Sequence, residues 1–273
     1  MSTYTQAISD IKISFSEAQA LDALYSPLNT NETLYQNLKK IVSTTGTNTL
    51  LETFPREIFT HLLYSYYPNE TAIKAAFSQQ FFFQSKNHVV IYELNASSSR
   101  VDMCKINGNS IAYEIKTELD NFKRLPKQLN DYSKLFDKIY LICPKSRLDD
   151  ALKYLPDHAG IYLYKKNSRN NYCFTLYRKA LANQSLDTRM QLMCLEKSTL
   201  QQYCSTSSAN KEEMVEQILQ KYNGMTINKL FKQSIKNKYS ENWSFVYENR
   251  ETIFPLDYQW FFQNKMAPEL IYH

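Results

Sequence analysis

The chain has 273 residues, 43% of them hydrophobic and 14% aromatic, with 21 Tyr and 15 Phe but 4 Gly. That composition excludes a disordered chain and argues against a glycine-rich phosphate loop; neither GxGxxG nor GxxxxGK[ST] occurs. The formal charge of +5 permits a nucleic-acid partner without requiring one.

Residues 1–85 read as mostly helical. The opening MSTYTQAISDIKISF has no charged segment followed by an apolar run, so no signal peptide is expected. In REIFTHLLYSYY, Phe59, Leu62, Leu63 and Tyr66 fall at i, i+3, i+4 and i+7, the spacing of one helix face. Asn69, after Pro68, is placed to cap the next helix, ETAIKAAF. The period then changes. NHVVIYELN, RVDMCKI and SIAYEIK are short and rich in β-branched and aromatic residues, and ASSS and NGN separate them. The Asn107-Gly108 step suits a hairpin turn, so three consecutive antiparallel strands are expected. A helix over about 121–136 follows, then DKIYLICP as a central strand, a helix over 146–155, and the strands GIYLYKK and YCFTLYRKA. The expected class is α/β (α+β), with helices on a mixed sheet.

From about 187 the chain returns to helix. Two helices joined by a Ser-rich turn are expected in CLEKSTLQQYCSTSSANKEEMVEQILQKY. Asn210 and Glu213 stand at capping-box spacing, and Met214, Val215, Ile218 and Leu219 form an apolar stripe. Lys221, Lys229, Lys232, Lys236 and Lys238 lie between 221 and 239 with no acid among them; they would either track phosphates or form a solvated helix face. The last 34 residues hold Trp243, Trp260, Phe261 and Phe262, suited to packing or to stacking on single-stranded bases. Five scattered cysteines without a CxxC pair fit buried thiols in a reducing compartment. With no apolar run long enough to span a membrane, a cytoplasmic chain is expected.

The chemistry concentrates in AYEIKTELDNFKRLPKQLNDY. Along a strand Ala112, Glu114 and Lys116 share one face, and neither charge would enter an apolar core unpaired. The hairpin brings Asp102 alongside. Two carboxylates from adjacent strands can grip a hard cation through oxygen and leave room for water and a phosphate. The lysine can then orient the water and offset charge on a phosphorane-like transition state. Glu93, on the first strand, could be a third carboxylate, bound directly or through water. The competing view makes Glu114 and Lys116 an ordinary pair on a solvated face. Asp120, Arg124, Gln128 and Tyr132 are four apart and would form one helix ridge. Either Asp120 and Arg124 pair on the surface while Tyr132 packs on the sheet, or the ridge faces the metal. Lys123 and Lys127 would widen its positive side.

Asp102, the Glu114-Ile115-Lys116 triplet and the β-β-β-α-β order resemble the PD-(D/E)xK, or restriction-endonuclease-like, nuclease superfamily. Gln128 and Tyr132 match the QxxxY element of RecB-like exonucleases. The stretch from Tyr92 to Ile142 is similar to small uncharacterised bacterial and phage nuclease-like proteins with the pattern E-L, RxD, EIK, DxxxRLxxQxxxY. Here Glu93, Leu94, Arg100, Asp102, Glu114, Lys116, Asp120, Arg124, Leu125, Gln128 and Tyr132 meet it. Pro156 and Gly160 fit the same group. Val101 stands where the superfamily often has proline.

The resemblance covers about 85–165 and implies a Mg²⁺- or Mn²⁺-dependent deoxyribonuclease that leaves a 3′-hydroxyl and a 5′-phosphate. It implies metal ligation by Asp102, Glu114, the Ile115 carbonyl and Glu93, with Lys116 as catalytic lysine. Arg100, Asp120, Arg124, Gln128 and Tyr132 would support the site or hold phosphate of a DNA partner. The expected organisation is an N-terminal helical segment (1–85), the nuclease core (86–185) and a C-terminal helical region (186–273). Leu195, Leu200, Cys204, Lys211, Glu212 and Met214 in that last region resemble a SAP-like hairpin, a pattern a two-helix packing unit shares. The alternative function is a catalytically inactive module of the same fold that binds nucleic acid or protein.

Overall fold

The change of hydrophobic period near residue 86 coincides with a structural boundary. The computed structural model describes residues 7–8, 10–42, 48–168, 170–204 and 210–272. The chain divides into one unit of Met1–Gln84, Lys166–Tyr172 and Phe245–His273, and another of Ser85–Lys165 and Cys173–Ser244. The region expected as one C-terminal piece, 186–273, is thus shared between the two units. Among the described residues no helix is long and apolar enough to cross a membrane.

Caps set the helices of the first unit. Ser14 and Glu17 form a reciprocal capping box at the start of α1 (Phe15–Asp22), and Thr30 caps α2 (Asn31–Ile41). After α3 (Asn48–Thr53), Pro55 opens α4 (Pro55–Tyr66), where its missing N–H costs nothing. Phe59, Leu62 and Leu63 of α4 are buried and Tyr66 half-buried, as their spacing predicts. Asn69 caps α5 (Glu70–Phe77) by accepting from the Ala72 amide at 2.9 Å, and a π-turn at Ser78–Phe82 extends it. Helix α4 packs against α1, α2 and α3.

The second unit is built on a six-stranded mixed sheet in sequential order. Its strands β1 (Val89–Ala96), β2 (Ser99–Asn107) and β3 (Asn109–Ile115) form the expected antiparallel meander. Gly108 makes the β2–β3 turn at φ +71°, a conformation glycine adopts without a Cβ penalty. A helical crossover, α6 (Leu125–Leu135), returns the chain to β4 (Lys138–Pro144), which pairs parallel with β3. Strand β4 is central and nearly all buried. A short α7 (Leu148–Leu152) leads to β5 (Gly160–Lys166), parallel to β4, and β6 (Tyr172–Arg178) completes the sheet. At Gly160 a Cβ would run into the Tyr140 ring and the Ala180 amide, so the strand can pass there only as glycine.

Helix α6 starts at Leu125 rather than near 121, because Pro126 sits in its first turn and the preceding residues are held in a separate loop. Beyond the sheet come α8 (Thr188–Met193), α9 (Lys197–Gln201), α10 (Lys211–Lys221) and α11 (Gly224–Glu248). The capping box of Asn210 and Glu213 is present, and Met214, Val215 and Ile218 are buried. The Ser-rich turn expected between α9 and α10 lies outside the described residues. Trp243 is buried, with His88 5.5 Å from it between ring centroids. In the first unit, a 3₁₀ turn at Pro255–Asp257 precedes α12 (Tyr258–Asn264) and α13 (Pro268–Ile271), and Phe261 and Phe262 are buried.

Candidate functional site

Strand register places the acidic residues in one row. Met103 pairs with Tyr113 and Cys104 with Ala112, so the same register carried on by one residue sets Asp102 opposite Glu114. On the other side, Tyr92 pairs with Met103 and Leu94 with Val101, which sets Glu93 opposite Asp102. Residues opposite one another on paired strands share a face of the sheet. Glu93, Asp102 and Glu114 therefore line up across β1, β2 and β3. Carboxylate oxygens of Glu93 and Asp102 lie within 4.8 Å of each other.

The row is buried. Glu114 is 1% exposed and Asp102 and Lys116 are each 8% exposed. Asp102 Oδ2 accepts the Ile115 amide at 2.6 Å, where β3 is leaving the β2 ladder. Glu114 Oε1 accepts from Lys116 Nζ at 2.6 Å. This disposes of the solvated-face view of the pair. Burial opposes a charge on the Lys116 amine, yet the carboxylates of Glu114, Asp102 and Asp120 outweigh it and raise the amine above its ordinary pKa. The Lys116 backbone is tied to β4 through its amide and the Ile142 carbonyl, at 2.9 Å.

Tyr132 reaches up from α6 to the same carboxylate. Its hydroxyl oxygen is 2.7 Å from Glu114 Oε2 and 2.7 Å from the Arg100 carbonyl, so its single proton is shared between two acceptors. Burial first, then the charges of Glu114 and Asp102, push its phenol far above the usual range. Gln128, one turn earlier in α6, has its buried Oε1 without a hydrogen-bond partner among the described residues.

Glu93 and Arg100 form an ion pair in which the Glu93 side chain is 9% exposed and that of Arg100 66%. Glu93 has φ +57° within a strand. A non-glycine residue held in the left-handed region stores backbone strain, a feature that gathers at functional sites. The donor set of Glu93, Asp102 and Glu114, with the Ile115 carbonyl, is all hard oxygen and suits Mg²⁺ or Mn²⁺. Two carboxylate oxygens on one such ion stand roughly 3–4 Å apart, given bonds of about 2.1 Å. A small side-chain adjustment of Glu93 and Asp102 meets that spacing. Each Glu114 oxygen accepts one hydrogen bond, from Lys116 or from Tyr132, and a carboxylate oxygen so engaged keeps a second lone pair for a metal.

The expected four-residue ridge is not formed. Asp120 lies before the helix, where its Oδ2 accepts from both the amide and the hydroxyl of Thr117, each at 2.8 Å. It bears on Lys116 through charge alone. Arg124 is the exposed N-cap residue of α6, which leaves Gln128 and Tyr132 as the helical members. Thr117, 2% exposed, belongs to this turn without being part of the catalytic pattern, and the Thr117–Asp120 spacing is its sequence signal, that of a side-chain-closed turn. Arg147 adds to this loop: it donates to the Asp120 carbonyl at 3.1 Å and lies 4.8 Å over the Phe122 ring. Of the lysines between 221 and 239, Lys232 is bound to Asp137 at 3.0 Å and Lys238 to Glu196.

The family model described as bacteriophage P4 protein cII matches residues 66–259, more than two thirds of the chain. A curated relative, protein cII of Enterobacteria phage P4, is 28% identical over 147 residues, covering 52% of this chain. The match spans 55% of that relative, about half its length. Among solved structures, the SPO1766 protein of unknown function from Silicibacter pomeroyi matches half of this chain and 85% of its own. Its TM-score of 0.32 and 14% identity are too low for an argument about fold or function.

Proposed function

The chain belongs to the bacteriophage P4 protein cII family, and from the buried row of carboxylates we propose that it is a metal-dependent deoxyribonuclease of the PD-(D/E)xK type. The observation that carries this reading is the register of the β2–β3 hairpin. It sets Asp102 opposite Glu114 while Lys116 holds Glu114 at 2.6 Å. A protein seldom buries two carboxylates and an amine together unless each has a task, because each charge costs several kcal/mol to desolvate.

Asp102, Glu114, Glu93 and the Ile115 carbonyl would hold Mg²⁺ or Mn²⁺. A bound ion supplies Lewis acidity and a lowered pKa for coordinated water. Lys116 contributes a positive charge next to the scissile phosphate, where negative charge grows in the transition state. Tyr132 positions Glu114. Arg100, with its side chain largely in solvent, is placed to leave Glu93 for a phosphate oxygen. Gln128 offers its amide to the same region.

Incubation of the pure protein with labelled linear, circular and branched DNA tests the proposal. Cleavage is expected with Mn²⁺ or Mg²⁺, none with chelator, and none by Asp102→Asn. DNA that survives across a broad pH range, together with no Mn²⁺ binding by calorimetry, overturns it. DNA that is bound but never cut would instead favour the inactive binding module.

A further inference from the structure

Strands β3 and β4 run parallel with Ile115 opposite Ile142, so both end at the same margin of the sheet. The segments that follow them, 116–124 and 145–154, leave that margin side by side, next to Glu114 and Lys116. In open sheets ligands bind outside the carboxyl ends of parallel strands. A stack of side chains ties the two segments together. Arg147 lies 4.8 Å over the Phe122 ring and donates to the Asp120 carbonyl at 3.1 Å. Tyr154 stacks on Phe122 with 6.0 Å between ring centroids and 22° between planes. Phe122 is buried, whereas Tyr154 is 44% exposed and Leu119, in the same loop, 51%.

Positive charge surrounds this open ring. Lys123 and Arg124 are exposed just before α6, Lys127 in its first turn and Lys145 after β4. Among the described residues none of these four forms an ion pair. Most acids of the two segments are engaged: Glu118 accepts from the Tyr164 hydroxyl, Asp120 closes the Thr117 turn, and Asp150 pairs with Arg147 and Lys153. Asp149 stays in solvent. A solvent-facing ring among unpaired cations matches the needs of single-stranded nucleic acid. Every base has a π-face to stack, and a flexible strand can lay one on a ring while its phosphates meet the cations. A duplex keeps its bases stacked on one another and offers such a ring nothing.

We propose that Tyr154 stacks an unpaired base of single-stranded DNA while Lys123, Arg124, Lys127 and Lys145 take the flanking phosphates. Resting on the nuclease reading, this gives the carboxylate row its substrate class, a strand presented unpaired.

Fluorescence anisotropy of the full chain with a short labelled oligodeoxynucleotide, and with its duplex, tests it in chelator, where no cleavage intervenes. The single strand should bind more tightly than the duplex. Tyr154→Leu keeps an apolar cover over Phe122 but no ring, and should lose about tenfold in affinity for the single strand. Tyr154→Phe should bind as the wild type does. Replacing Lys123 and Arg124 by Gln should flatten the dependence of log affinity on log salt by about 0.7 per cation removed, a slope that Tyr154→Leu leaves unchanged. Equal binding of single strand and duplex, undiminished binding by Tyr154→Leu, or no binding of the single strand at micromolar protein overturns the proposal. Cleavage with Mn²⁺ reads the two proposals apart. If DNA is cut and Tyr154→Leu binds and cuts single strands as the wild type does, the stacking site falls and the nuclease stands. Single strands held through Tyr154 but never cut uphold the stacking site and remove the nuclease.

Discussion

The backbone amide of Ile115 donates to Asp102 Oδ2 across 2.6 Å, so an aspartate on one hairpin strand clamps the residue that separates Glu114 from Lys116 on the next. The contact gives Asp102 a structural duty beside the proposed metal one, and two substitutions separate them. Asp102→Ala leaves a buried N–H unsatisfied and should cost about 1–3 kcal/mol of stability. Asp102→Asn keeps an acceptor oxygen and should fold nearly as stably as the wild type, yet lose the stabilisation by Mn²⁺. Urea denaturation with and without the ion measures both.

Lys116 balances a carboxylate that is 1% exposed. Replacing it with Met leaves Glu114 as an uncompensated buried charge, expected to cost about 3–5 kcal/mol. Adding Glu114→Gln should recover much of that loss. A double-mutant cycle by chemical denaturation that shows simple additivity would contradict the pairing.

Tyr132→Phe keeps the fully buried ring and removes only the hydroxyl shared by Glu114 and the Arg100 carbonyl. A loss of about 1.5–3 kcal/mol is expected, the range for a hydrogen bond to a charged group. Cleavage should slow with little change in DNA affinity, because the residue positions Glu114 and does not touch the phosphate. Thermal unfolding and steady-state rates check the two parts.

Asp257 predicts a pH dependence. Burial raises its carboxyl from 3.8 to about 6, against the lowering effect of Tyr272, Tyr25 and Arg56. The folded state therefore holds this proton more tightly than the unfolded state does. The stability linked to it is full below the unfolded value near 3.8 and is lost as pH rises through about 6. The difference is on the order of 3 kcal/mol. In urea titrations over roughly pH 4 to 7, the window the two values span, Asp257→Asn should gain on the wild type as pH rises.

Gly160→Ala pushes a methyl into the Tyr140 ring and the Ala180 amide. Since the ring stacks on Tyr113 at 5.6 Å and meets Tyr162 at 5.1 Å, it has little freedom to yield. A destabilisation of about 1–3 kcal/mol or more is expected by chemical denaturation.

Much of the second unit was legible locally. Alternating β-branched and aromatic residues with an Asn107-Gly108 turn specify an antiparallel hairpin, and its register alone brings Asp102 and Glu114 together. The Asn69 and Asn210 caps were equally readable, because a cap is satisfied within one turn. The four-residue ridge misled for the same reason. Spacing by four has meaning only inside a helix, and Thr117 and Asp120 close their own turn before α6 begins.

What sequence by itself determined was the order of the strands, the face each charge occupies and the hairpin that unites them, since these follow from periods of two and from one turn. The tertiary structure alone decided which groups each charge meets. Tyr132 reaches Glu114 because a crossover helix lies on that face of the sheet, and Tyr25 meets Asp257 across 232 residues of chain. Those contacts come from packing between elements, where burial forces every polar group to find a partner, and no local pattern records the choice.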